Sequence, residues 1–177
     1  MLPKPIEVTD DPVVTQRVEI ITSAGAIVVA LYGDAAPKTV ANFLSYVQSG
    51  YYDGLIFHRV IPGFMIQGGG YDKDMAKVES GAPIPLELIP GIEHTAGTIA
   101  MARTSDPESA TSQFFICVSD TEQLNGEYAA FGKVEEGLDV ATAISQVETH
   151  SVETDVAVMD DVPVIPVIVQ KMRLLSQ

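Results

Sequence analysis

The chain has 177 residues, 46% of them hydrophobic, enough for one domain with a sizeable core and short tails but too few for two independent domains. Ten Lys and Arg against 24 Asp and Glu give a net charge of -14, which excludes a sequence-independent grip on nucleic acid or on anionic membranes. Cys117 is the only cysteine, so no intramolecular disulfide forms, and its apolar run Phe114–Val118 marks a buried, inert thiol rather than a nucleophile.

Residues 1–15 carry Pro3, Pro5 and Pro12 with Asp10 and Asp11, the composition of an extended arm. A basic apolar leader and a membrane-length run are both missing, which predicts a cytoplasmic protein, or an exported one if a leader has been removed. Val18–Thr22 and Ala26–Tyr32 are β-rich runs joined by Ser23-Ala24-Gly25 and predict a hairpin. A helix follows: Asp34 stands ahead of Pro37, the residues Val40, Phe43, Leu44 and Val47 recur at helical spacing, and Gly50 ends the pattern.

The stretch Phe57–Gly70, FHRVIPGFMIQGGG, predicts two strands around a Pro62-Gly63 turn. Period-two alternation puts Phe57 and Arg59 on one face, with His58 and Val60 on the other. It also pairs Phe64 with Ile66, and Met65 with Gln67. Arg59 is then either a paired structural cation or a ligand-binding group, and spacing leaves both open. For His58 a structural hydrogen-bonding role is expected.

Tyr71–Thr95, broken by Gly81, Pro83, Pro85 and Pro90, predicts a long loop. Gly97–Ala102 and Gln113–Val118 predict strands on either side of the polar loop Thr104–Ser112. Leu124-Asn125-Gly126 predicts a turn, Tyr128–Val134 a strand, and Leu138–Val147 a second helix after Gly137. Glu148–Asp161 holds five carboxylates and no Lys or Arg, which predicts an exposed loop with a solvated surface. Val164–Leu175 is a last β-branched strand, limited at its start by Pro163 and Pro166. The sum is a mainly β fold: a closed eight-stranded antiparallel β-barrel capped by two α-helices.

Several chemistries are excluded by spacing. His58, His94 and His150 are far apart and form no ligand pair, so no metal is expected. No strand-turn-helix nucleophile motif is present, and Gly68-Gly69-Gly70 opens into a Pro-rich loop rather than a helix. Those glycines are expected to serve backbone conformation and close packing.

Four blocks in order, FHRVIPGFMIQGG, Gly97–Ala102, SQFFI at Ser112–Ile116 and FGKV at Phe131–Val134, resemble the cyclophilin peptidyl-prolyl cis/trans isomerases. The segment MARTSDPESATSQFF most resembles the bacterial type of that family. The resemblance implies a single cyclophilin-like isomerase domain over residues 16–177, with an outer groove for proline-containing peptides and unfolded or folding proteins. It implies no cofactor and a monomer. Arg59 and Gln67 take the catalytic positions, Gln67 holding Arg59 or binding the substrate backbone. Phe64, Met65, Phe115 and Leu124 form the proline pocket, although pattern alone favours plain core for them. Ala102 lies on the groove wall, Gln113 binds backbone, and Arg103 and Tyr128 complete the substrate-binding set.

Three positions depart from the eukaryotic pattern. Gln123 stands where many members carry Trp, which implies weak cyclosporin binding. Arg103 replaces Asn and adds charge beside the groove, and Tyr128 replaces His while keeping an aromatic wall with a polar tip. Arg59 and Arg103 together suggest a basic spot that favours substrates with acidic residues near the proline. The alternative reading is a proline-peptide binding or chaperone module whose catalysis is incidental.

Overall fold

The computed structural model describes residues 12–176, so most of the expected arm, residues 1–11, lies outside the described residues. Strands β1 (Gln16–Thr22) and β2 (Gly25–Leu31) form the expected hairpin, in register from Gln16 opposite Leu31 to Thr22 opposite Gly25. Val18, Ile20, Ile27 and Val29 all turn inward, as strict alternation requires. The long segment Tyr71–Thr95 remains largely irregular, with isolated bridges at Lys77 and Ile84.

Helix α1 (Pro37–Gln48) begins with its proline in the first turn, where a missing N–H costs nothing, and buries Val40, Phe43 and Val47. The cap comes from a distant residue, not from Asp34. Glu87, in the long loop, accepts hydrogen bonds from the backbone N–H and the hydroxyl of Thr39, both at 2.6 Å, and from the Lys38 N–H at 3.3 Å. A carboxylate there satisfies orphan donors and complements the helix dipole.

The remaining elements are β3 (Leu55–Ile61), β4 (Met65–Asp72), β5 (Thr98–Met101), β6 (Phe114–Cys117), β7 (Ala130–Glu136), α2 (Leu138–Ser145), β8 (Thr149–Glu153), β9 (Val158–Pro163) and β10 (Val169–Leu174). Eight of the strands make one antiparallel sheet in the order β10-β1-β2-β7-β5-β6-β4-β3. Its edges meet where Ile56 bridges Ile168: the Phe57 N–H donates to Val167 O at 3.1 Å, and Gly54 N–H to Val169 O at 2.8 Å. The sheet is thus a nearly closed barrel. Side chains fill its interior, with Phe114 in edge contact with Phe43 at 5.6 Å and with Phe57 at 6.0 Å. α1 packs beside β10, and α2 beside β2, β3 and β4.

Three expectations need correction. Phe57 and Arg59 do not share a face: Phe57 and Val60 are in the core, whereas Arg59 is exposed. The register runs from Phe57 opposite Gly68 to Arg59 opposite Gln67, so β3 carries an extra residue at His58. Such a bulge reverses alternation from that point on. Phe64 does not join Ile66 either, because it is still in the turn. The second correction is the tract Glu148–Asp161, which is a β8–β9 hairpin rather than a loop. Its turn is held by the Thr154 hydroxyl, which donates to Ala157 O at 2.8 Å and accepts from the Ala157 N–H at 3.2 Å. The third is smaller: β7 starts two residues later than the expected Tyr128 and runs on to Glu136.

Gly137 joins β7 to α2 with φ of 89°, and a Cβ there would lie 2.3 Å from Ala26 O. Gly126 has a similar φ of 76° with nothing within 4 Å. Gly126→Ala is expected to cost about 1 kcal/mol from backbone strain alone. Gly137→Ala adds a backbone clash and is expected to cost about 3 kcal/mol or more. Urea unfolding of both variants checks this, and equal losses would refute the steric account.

Candidate active site

The groove is built from side chains that alternation sends outward. On β4, Ile66 enters the core while Met65 and Gln67 face out; on β6, Phe114 enters and Phe115 faces out. Met65, Ala100, Phe115, Cys117 and Ala130 form a second buried apolar cluster on the outside of the barrel, with Phe64, Ala102, Leu124 and Tyr128 packed against it. Above this floor lies a groove of about 480 Å³. Every expected site residue lines it: Arg59, Gln67, Phe64, Met65, Ala102, Arg103, Gln113, Phe115, Leu124 and Tyr128.

Cys117 sits in that floor, where burial pushes its thiol up to about 12, so it stays protonated and unreactive at neutral pH. The three glycines let other groups approach β4 closely. A Cβ on Gly70 would lie 2.5 Å from Gln113 Nε2, and one on Gly69 would lie 2.8 Å from Ser112 O. Gln113 therefore folds tightly along the strand. Its Oε1 accepts from Gln67 Nε2 at 3.0 Å. This contact uses one N–H of the Gln67 amide and leaves its Oε1 open, and among the described residues the Gln67 side chain makes no hydrogen bond with the Arg59 guanidinium.

The two arginines differ sharply. Arg59 is exposed at the groove, and its guanidinium has no hydrogen bond or ion pair among the described residues. Arg103 is fully engaged: Nε and Nη2 donate to Glu127 O at 2.9 and 2.8 Å, and Nη1 donates to Thr104 O at 3.0 Å. Its guanidinium also lies 4.7 Å from the Tyr128 ring centroid and 3.6 Å from the Glu127 carboxylate. With its side chain only 10% exposed, Arg103 braces Tyr128 rather than presenting a free charge. The basic spot expected from the pair reduces to Arg59.

Tyr128 meets Phe115 edge-on at 5.5 Å, and His94 stacks behind Phe115 at 6.1 Å. Asn125 Oδ1 lies 2.6 Å from the His94 N–H and 3.1 Å from Nδ1, which anchors the turn that carries Leu124. His58 lines the groove but lacks the expected hydrogen bond: it is 2% exposed, and its Nδ1 has no partner. It instead packs against Tyr71 at 4.6 Å. Burial, and then the neighbouring Arg59 charge, lower its pKa to about 4, so the ring is neutral at pH 7.

Sequence reasoning missed Tyr71 and the β9 residues Val158, Met159, Asp160 and Asp161, which form one side of the groove. The usable signal for β9 was the recurrence of Val152, Val158 and Val162 around a Thr154-Asp155 turn. Among the described residues, no group of three His, Cys, Asp or Glu converges to hold a metal ion, and no helix is long and apolar enough to cross a membrane.

The barrel is filled, so the candidate site is an apolar groove on its outer wall with one unengaged guanidinium, rather than an interior cavity. The family model for cyclophilin type peptidyl-prolyl cis-trans isomerase/CLD matches residues 17–174. The chain is 51% identical to the peptidyl-prolyl cis-trans isomerase cyp18 of Streptomyces antibioticus, over 90% of this chain and 98% of that one. It is 48% identical to peptidyl-prolyl cis-trans isomerase B of Escherichia coli, over 72% and 83%. A crystal structure of a Cryptosporidium parvum cyclophilin type peptidyl-prolyl cis-trans isomerase in the presence of the dipeptide Ala-Pro superposes with a TM-score of 0.77 at 31% identity, covering 92% of this chain and 100% of that one. The chain belongs to the cyclophilin-type peptidyl-prolyl cis-trans isomerase family, and it is an isomerase.

His58 has a pH signature. It is neutral in the fold, while the unfolded chain protonates its histidine below about pH 6.5. The unfolded state then binds the extra proton, so stability falls between about pH 6.5 and 4 by up to about 3 kcal/mol and levels off below that. Comparing urea unfolding at pH 7 and 4.5, His58→Phe is expected to lose about 2 kcal/mol less than the parent. An identical loss would show that His58 is not the buried neutral group.

Proposed function

We propose that the groove accelerates cis/trans rotation of X-Pro bonds in peptides and folding proteins, with Arg59 as the catalytic group. Rotation loses amide resonance and faces a barrier of about 18–20 kcal/mol. In the twisted transition state the prolyl nitrogen becomes pyramidal and regains a lone pair. A fixed donor aimed at that nitrogen stabilises the transition state more than either planar ground state. No covalent step and no proton transfer is required.

The observation that carries this reading is the unengaged Arg59 guanidinium beside the apolar floor. A guanidinium stays protonated at all working pH values and offers several N–H groups from a rigid plane. Phe64, Met65, Phe115 and Leu124 would hold the proline ring, with Tyr128 as the aromatic wall and Ala102 beside it. The linked Gln67 and Gln113 amides would meet the substrate backbone, so Gln67 acts by positioning peptide and not by holding Arg59. The related structure in the presence of Ala-Pro favours a ligand of this class.

In an NMR exchange assay on a short X-Pro peptide, Arg59→Ala is expected to lower kcat/KM by about a hundredfold or more, the scale of losing one preorganised donor, with thermal stability unchanged. Full activity in that variant would remove Arg59 from the mechanism. A binding or chaperone module with incidental catalysis is the competing reading, favoured by the groove's volume of about 480 Å³. It requires that Arg59→Ala still promote refolding of a client at the parent's rate.

Gln123 is exposed in a short 3-10 turn, Glu122–Leu124, beside the groove. The absence of an aromatic anchor there gives weak cyclosporin binding. Gln123→Trp is expected to tighten inhibition by about tenfold, one buried ring contact's worth. No change in the inhibition constant would refute this.

A further inference from the structure

β9 runs beside β3 and brings charge to the side of the groove that Arg59 occupies. Its register against β8 passes from Val152 opposite Met159 to His150 opposite Val162, which leaves Asp160 and Asp161 together opposite Ser151. Asp161 has φ of 61°, a left-handed conformation that Asp tolerates better than most residues. Through this bulge two consecutive acidic residues, next to Val158 and Met159, are among those that line the cavity.

The charges facing them are few. Asp160 Oδ1 accepts only the neutral Ser151 hydroxyl, at 2.6 Å. Asp161 has no side-chain hydrogen bond or ion pair among the described residues. Of the basic residues lining the groove, Arg103 is consumed by Glu127 and Thr104, and Arg59 forms no ion pair. A separate feature in the same wall also points to a missing polar neighbour: His58 is buried and carries an Nδ1 with no partner. Its ring is neutral, so it adds no positive charge to that wall.

Resting on the isomerase reading, we infer that Asp160 and Asp161 make this groove select prolyl peptides carrying a Lys or Arg next to the proline. An ammonium or guanidinium there meets two carboxylates against one guanidinium. A Glu or Asp side chain meets the reverse balance. The net charge of -14 adds a long-range pull on basic peptides. This inverts the preference for acidic substrates that two free arginines would have produced.

The test uses the full chain and a set of otherwise identical X-Pro peptides with Lys, Ala or Glu beside the proline, assayed by NMR exchange. Lys is expected to exceed Glu in kcat/KM by roughly threefold to tenfold at low salt, the range one or two half-screened ion pairs supply. The difference should sit mainly in KM, because a contact remote from the rotating bond acts on ground and transition states alike. In about 1 M salt the ratio should approach one. It should also collapse in Asp160→Asn/Asp161→Asn. Asn keeps left-handed tolerance at 161 and an acceptor for Ser151 at 160, and a ratio taken within each protein does not depend on its overall activity. Equal rates, a preference for Glu, or a Lys preference that persists in the double variant would overturn the inference. Failure of the isomerase reading would appear separately, as no acceleration of the Ala peptide by the parent.

Discussion

At His58, β3 carries one more residue than the β4 segment it faces, and the orientation of Arg59 and all that follows on the strand depends on it. Before the bulge, Phe57 points into the barrel and meets Phe114 edge-on. After it, Val60 pairs with Ile66 on the interior side, and Arg59 stands opposite Gln67 on the outer side. Without the extra residue a guanidinium would follow Phe57 into a filled apolar core, where an unpaired charge costs several kcal/mol. The bulge thus keeps the core apolar and delivers the cation to the groove. His58, the residue inserted, is left buried with an unpartnered nitrogen.

The barrel supports two apolar clusters with one set of strands. Phe114 and Phe115, Ile66 and Met65, Ile99 and Ala100 are neighbours in sequence but belong to opposite faces. Each inner member fills the barrel and each outer member contributes to the groove floor. Because the same backbone hydrogen bonds fix both layers, the floor is held in place by the core. The pocket is therefore formed before a peptide arrives, which limits the ordering cost of binding.

Long-range side-chain contacts complete the walls. Arg103 brackets Glu127 and Thr104 and lies over Tyr128; Asn125 ties to His94, which in turn stacks on Phe115. These braces act on loops that have no ladder of their own. Glu87 does similar work at the start of α1, far from the groove. β9, beside β3, adds Asp160 and Asp161 to the residues that line the groove.

The sequence by itself determined the elements that rest on short-range patterns. The β1–β2 hairpin and α1 follow from alternation, a Pro start and helical spacing within single segments. The ordered motif blocks carried the family, and with it the residues that line the groove, including Phe64, Met65, Phe115 and Leu124, which pattern alone assigns to plain core. Only the tertiary structure decided which way Arg59 points, since a bulge is set by pairing with β4 and leaves no mark in the residues of β3. It also decided that Arg103 is consumed and Arg59 is not, because the acceptors are backbone carbonyls, one of them more than twenty residues along the chain. The tract Glu148–Asp161 reads as a solvated loop because five carboxylates with no Lys or Arg outweigh its short apolar segments around Val152 and Val158. It becomes a strand pair through backbone hydrogen bonds and contact with β3, neither of which a side-chain pattern records.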